Sequence, residues 1–174
     1  MSGDGDVQLK RDEPLHRSFV VREASSDADV DAVRRLVLAH VDERSTVPGV
    51  EHMAADAVRL PGPYVPPRGA IWVADAAGAI VGCVALRPLP DSVGEVKRMY
   101  VDRDWRGVGI GRALLVTLIN AARTLGYHHL RLGTLVEMHE AKALYRSLGF
   151  TPIDRYRDDE MIDTTFFELD LQHQ

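Results

Sequence analysis

Positions 106 to 112 read Arg106, Gly107, Val108, Gly109, Ile110, Gly111, Arg112, and these residue types at this spacing suit the holding of an anion. Glycines carry no Cβ, so the backbone can approach a ligand and take positive φ, while the first N–H groups of a helix find no partner inside it. The run opens a long stretch of helical periodicity. Its free N–H groups and the positive end of the helix dipole would meet a diphosphate, with Arg106 and Arg112 at hand to neutralise charge. Spacing separates the rival motifs. A Walker loop needs Gly-Lys-Ser/Thr, whereas Arg112 and Ala113 follow Gly111. A dinucleotide fingerprint needs GxGxxG directly after a strand, whereas this run is GxGxG and lies beyond Val101 by several residues. A glycine-rich turn without a ligand is the plain alternative.

Other chemistry is sparse. Cys83 lies in an apolar run and reads as a small core residue rather than a covalent carrier of a transferred group. The histidines at 16, 40, 52, 128, 129, 139 and 172 show no HxxxH or HExxH spacing, so no metal is expected. Trp72 and Trp105 read as packing residues. With 21 Lys and Arg against 26 Asp and Glu, the net charge of −5 has the wrong sign for gripping phosphate backbones, so no nucleic acid partner is expected. No apolar run approaches the ~18 residues of a membrane span. The first residues lack the apolar core of a secretory signal, and one cysteine cannot close an internal disulfide, which points to a cytoplasmic protein.

The loop needs a strand before it and a helix behind it, and the sequence offers both. Residues 94–102 (GEVKRMYVD) alternate as a strand, with Glu95, Lys97, Met99 and Val101 on one face and Val96, Arg98 and Tyr100 on the other. Behind the loop, Ile110, Leu114, Leu118, Ala121, Ala122 and Leu125 keep a 3.6-residue spacing up to Gly126, a natural left-handed stop. Upstream come a short strand at 18–22, a helix through SSDADVDAVRRLVLAHV and a second helix at roughly 50–60 stopped by Pro61. Residues 69–89 read as a hairpin turning at 75–78. Downstream come a strand at 128–135, a short helix marked by Ala141, Leu144, Tyr145 and Leu148, and strands at 151–156 and 164–171. Residues 1–17 and 172–174 read as tails around a single domain at 18–171. The sum is an α+β fold with helices on both faces of a mixed sheet.

The RxxGxG run at Arg106, Gly109 and Gly111 resembles motif A of the GNAT superfamily of N-acetyltransferases. LYRSLGF, residues 144–150, is similar to that family's LYxxxGF segment, and GEVKRMYV resembles the strand that precedes its loop. All three stand in family order, and so do the predicted elements. The resemblance implies an α/β/α layered fold, with a mostly antiparallel sheet of about seven strands splayed between the fourth and fifth, and four helices. It implies acetyl-CoA as cosubstrate, its diphosphate on residues 106–112 and its pantetheine along the fourth strand. Met99 and Val101 stand where backbone groups bond the pantetheine amides, and the Met99 N–H is the implied donor to the thioester carbonyl. Met138 departs from the pattern, since many relatives carry Asn there.

Transfer of acetyl from a thioester to an amine needs a neutral amine, a polarised carbonyl and a proton for the departing thiolate. Alkylamines titrate near ~10.4, so a base is needed at neutral pH. Glu95, on its expected face with Met99, stands where the family's histone acetyltransferases keep a catalytic glutamate; it reads equally as a half-exposed carboxylate paired with Lys97 or Arg98. Tyr145 matches the tyrosine that protonates the leaving sulfur, and its helical spacing also suits core packing. An acceptor pocket is implied near Tyr64, Arg68, Tyr156 and 158–160, where acidic residues could attract a cationic amine. The expected activity is N-acetylation of a small-molecule or peptide amine in a ternary complex, by a monomer or homodimer. An acyl-CoA-binding or sensing module that kept the fold and lost transfer is the alternative.

Overall fold

The computed structural model describes residues 17–158 and 163–172. The expected tails lie outside those residues except for Arg17 and Gln172, as do two of the acids proposed for the acceptor pocket, Asp159 and Glu160. The element order begins β1 (Val20–Glu23), α1 (Asp27–Asp42), α2 (Glu51–Val58), β2 (Ala70–Ala76), β3 (Ala79–Leu89) and β4 (Val93–Val101). After a 3₁₀ turn at Arg103–Trp105 come α3 (Ile110–Thr124), β5 (His129–Leu135), α4 (His139–Ser147), β6 (Thr151–Ile153) and β7 (Thr164–Asp170). Among the described residues the strands form one seven-stranded sheet in the order β1-β2-β3-β4-β5-β7-β6. Its pairs are antiparallel except β4 beside β5. The α+β fold expected from the sequence is the fold observed.

Local chemistry sets the helices. Ser26 caps α1, its hydroxyl accepting the Asp29 N–H at 3.2 Å. Asp29 accepts the Ser25 N–H and a two-point ion pair from Arg22 of β1 at 2.8 and 2.9 Å, which fastens the helix start to the first strand. Those contacts, the Arg22 hydrogen bond first, hold the Asp29 carboxyl far below the usual carboxylate range. Beyond this start Val33, Leu36 and Val37 bury one stripe against Ile71, Val73, Cys83 and Ala85 of the sheet. Helix α3 covers the opposite face, where Ile110, Leu114, Leu115, Leu118 and Ala122 pack on Trp72, Val84, Leu86 and Val96. Cys83 belongs to the first of these cores, fully buried, with its thiol donating to the Arg98 carbonyl.

One feature of β4 departs from simple alternation. Ala85 pairs with Lys97 and Cys83 with Tyr100, so Arg98 and Met99 together stand opposite Val84. This is a β-bulge, and Arg98 takes φ +55° to make it. The extra residue exchanges the two faces of the strand. Glu95 and Lys97 lie on the α1/α2 face with Arg87 and Ala85, whereas Met99 and Val101 turn to the α3 face, close to Gly111. Glu95 and Met99 therefore do not share a face, contrary to the alternation read from the sequence. A second difference is at β6, which ends at Ile153 rather than continuing to 156. The chain after it carries Tyr156 and Arg157 over to Glu95.

Candidate active site

Strands β4 and β5 pair at Val93–His129, Gly94–Leu130 and Glu95–Arg131, and the pairing stops there. Beyond Glu95 each strand pairs only with its outer neighbour, β4 with β3 and β5 with β7, so a gap opens in the middle of the sheet. A cavity of about 250 Å³ occupies it. Val96, Lys97 and Met99 line one side, Leu132, Gly133 and Thr134 the other, and Tyr145 and Met138 reach in from α4 and its cap. The Thr134 hydroxyl donates to the Met138 sulfur at 3.6 Å, so the residue standing in place of Asn meets a side chain of the gap wall.

The anion loop lies past the open end of β4. Gly107 and Gly109 take φ +81° and +90°, a region that a side-chain-bearing residue enters at a cost, and Gly109 caps α3. The helix ladder starts with the Ala113 N–H on the Gly109 carbonyl at 3.0 Å, leaving the N–H groups of Ile110, Gly111 and Arg112 outside it. Val108 is exposed at the tip of the loop. The side chains expected to neutralise a diphosphate are otherwise engaged. Arg106 donates to the Val101 carbonyl and pairs with Glu43, the C-cap of α1, at 2.8 and 3.1 Å, and Arg112 donates to the Ser147 hydroxyl at 3.0 Å. Tyr100 also donates to Glu43, at 2.8 Å, so that carboxylate ties the loop to α1 and β4. The anion-binding capacity of this end thus resides in backbone N–H groups and the helix dipole.

Glu95 sits at the closed end of the gap and is wholly buried, not half-exposed. Its partners are Tyr156, which donates its hydroxyl at 2.7 Å, Arg87 at 2.5 Å and Arg157 at 2.8 Å, rather than Lys97 or Arg98. Burial alone would push its carboxyl up, but the charge of Lys97, the Tyr156 hydroxyl and the two arginines outweigh that and hold it below its ordinary value. Burial lowers the Lys97 ammonium to about 8, with Glu95 opposing the shift. Tyr145 is packed edge-on against Phe150, and burial raises its phenol to about 12. Burial, with Arg44 beside it, brings His40 down to about 4, so this imidazole is neutral near pH 7.

The structure therefore brings Met99 and Tyr145 to one cavity, with Glu95 behind its wall, and sets Val101 and 106–112 at the outer end. Of the proposed acceptor residues, Tyr156 and Asp158 belong here. Tyr64 does not, being buried under α1 and α2, and the Arg68 guanidinium lies over the Tyr127 ring. Lys97, Arg98, Arg87, Arg44 and Arg157 line the cavity and were not singled out by sequence spacing, since they come from four separate segments. Among the described residues these cations share the lining with Asp56 and with Asp158, the one acid of 158–160 that the structure describes.

Comparison with known proteins places this geometry. Residues 67–152 match a family model described as an acetyltransferase (GNAT) domain. An uncharacterized N-acetyltransferase of Schizosaccharomyces pombe is 31% identical over 148 residues, covering 82% of this chain and 89% of that protein. N-acetylaspartate synthetase of Danio rerio is 34% identical over 119 residues, 63% of this chain, and the chain spans only 42% of that protein's length. A Salmonella typhimurium structure solved with its cofactor acetyl-CoA superposes with a TM-score of 0.65 at 24% identity, covering 90% of this chain and 95% of that one. A sheet opened between β4 and β5, a glycine-capped α3 and a relative above 30% identity over most of both chains converge: the chain belongs to the GNAT family of acetyltransferases and is an N-acetyltransferase.

Proposed function

We propose that this N-acetyltransferase carries acetyl from acetyl-CoA directly to an amine in a ternary complex. The observation that carries this reading is the end of β4–β5 pairing at Glu95–Arg131, which leaves a gap lined by Met99 and Tyr145, with the glycine loop following the end of β4. The diphosphate would rest on the backbone N–H groups of 107–112, and the acetyl-pantetheine would enter the gap along Met99 and Val101. The Salmonella structure, which holds acetyl-CoA, supports the choice of donor, and the zebrafish relative's name supports a small-molecule acceptor.

The reaction balances as follows. The amine nitrogen attacks the thioester carbon, its C–N bond forms as the C–S bond breaks, one proton leaves the nitrogen and one reaches the sulfur. Glu95 receives the amine proton through a water, since its carboxylate is ionised at neutral pH and enclosed by Arg87, Arg157 and Tyr156. Tyr145, protonated up to high pH, gives its proton to the thiolate. The Met99 N–H would stabilise the carbonyl oxygen as charge develops on it. A panel of amines, amino acids and polyamines, with thiol release from acetyl-CoA as the readout, tests the reading; release no faster than background hydrolysis on every compound would refute it.

A further inference from the structure

The cavity between β4 and β5 has an electrical character that the transfer chemistry does not use. Arg44, Arg87, Lys97, Arg98 and Arg157 line it, against the carboxylates of Asp56 and Asp158. Glu95 adds a carboxylate behind the wall but already holds Arg87 and Arg157. In a chain of net charge −5, an excess of cations gathered around one buried opening is a local construction. Two of these cations have hydrogen-bonding capacity to spare. Among the described residues, the Nε atoms of Arg98 and Arg44 are buried and meet no hydrogen-bond acceptor, although Arg98 is only 9% exposed. Buried charged donors left unmet are costly, and a ligand that supplies the acceptor relieves that cost. Of these cations Arg87 and Arg157 pair with Glu95 at the closed end of the gap, whereas Arg44 shares Glu43 with Arg106 of the glycine loop.

We propose, building on the acetyltransferase reading above, that the acceptor is a small aminocarboxylate such as an amino acid, its carboxylate held by Arg98 and Lys97 and its amine directed toward Glu95. The order of the residues along β4 fits this pose, with Glu95 and Lys97 on one face and Arg98 brought beside them by the bulge. A carboxylate already rests on the Arg98 guanidinium, that of Asp56 from α2, which is half-exposed at the cavity edge. An incoming carboxylate would share or replace it in a fork shaped for that group. Lys97 supports the assignment. Burial lowers its ammonium to about 8 against the opposing pull of Glu95, with Arg157, Arg98 and Arg87 adding repulsion. A cavity of about 250 Å³ suits a small molecule better than a protein segment.

The test compares the twenty free amino acids with their α-amides, the corresponding decarboxylated amines and phosphoethanolamine, using thiol release with the full chain. Thermal shift in the presence of coenzyme A runs on the same compounds. The expected result is that at least one free amino acid exceeds its own amide by about 100-fold in kcat/KM, since a site built for a polar group rejects analogues that lack it. Arg98→Gln and Lys97→Met should each erase most of that difference by raising KM for the acid about 10-fold or more while leaving KM for the amide nearly unchanged. The acid–amide comparison in the unaltered protein stands even if a variant fails to fold. Faster turnover of amides, plain amines or phosphoethanolamine than of any acid would overturn the proposal and leave the acetyltransferase reading intact. Heat stabilisation by acids over amides without turnover on any compound would refute acetyl transfer and uphold the carboxylate site.

Discussion

Glu95 is surrounded by the groups that weaken it as a base: two guanidinium groups, a phenol and a neighbouring ammonium keep its carboxyl below the ordinary value. In the proposed reaction its part is then to pass on, through a water, the proton that the acceptor ammonium sheds so that a neutral amine attacks, rather than to keep that proton. Glu95→Gln should lower kcat/KM by about 10²-fold at pH 7. The deficit should shrink as pH rises, because the free amine becomes plentiful without help; a deficit constant from pH 7 to 10 would assign Glu95 a structural role. Tyr145 shows the opposite adjustment. Burial raises its phenol to about 12, so it donates rather than accepts at any working pH. Tyr145→Phe should reduce kcat about 10-fold or more and leave acetyl-CoA affinity, measured by calorimetry, within a factor of about two. A large loss of affinity with kcat preserved would mean that the ring serves only as packing against Phe150 and Phe167.

At the scale of elements, the site is made by two interruptions of regular structure. The first is the loss of pairing between β4 and β5 after Glu95, and the second is the left-handed backbone that starts α3. Gly109 (φ +90°) and Gly78 (φ +93°) share that backbone region, and a Cβ on either would meet open space. Gly78 turns the β2–β3 hairpin, at the same end of the sheet as the glycine loop but outside it, since the Asp102 N–H bonds the Val81 carbonyl three residues on. Alanine at either site should cost about 1–2 kcal/mol of stability through strain alone. Only Gly109→Ala should also raise the KM for acetyl-CoA, by about 10-fold, because it distorts the N–H groups that face the diphosphate. Equal effects of the two variants on KM would remove the loop from donor binding.

For the whole molecule, a buried cation cluster should register in the pH dependence of folding. The Lys97 ammonium titrates near 8 in the folded chain against 10.5 when free, so between those values the unfolded chain binds more protons than the native one. Stability therefore rises with pH across that window, by roughly 2 kcal/mol, once the charge that folding disfavours is shed. Denaturant unfolding of Lys97→Met should lack this rise and should show higher stability than the unaltered protein at pH 7. A flat profile in both proteins would mean that Lys97 reaches solvent. The same whole-chain view separates what was legible from sequence and what was not. The glycine loop, the periodicity of α3 and LYRSLGF are local patterns, and they led to the fold and to the proposed donor end of the site. The bulge was hidden, because nothing about an arginine at 98 signals φ +55°, and with it went the facing of Glu95 and Met99. The basic cavity was hidden too, since Arg44, Arg87, Arg98 and Arg157 are gathered from the turn after α1, β3, β4 and the chain after β6. Arg106 looked free for a phosphate until tertiary structure brought Glu43 to it across 63 positions.

The central claim is that the sheet gap and the glycine loop are two ends of one acetyl-CoA site, and a crystal structure of the chain with coenzyme A tests it most directly. The account predicts density for the diphosphate against the N–H groups of residues 107–112 and for the thiol in the cavity between Met99 and Tyr145. Coenzyme A bound elsewhere, or a gap closed by side chains with the loop bare, would contradict it.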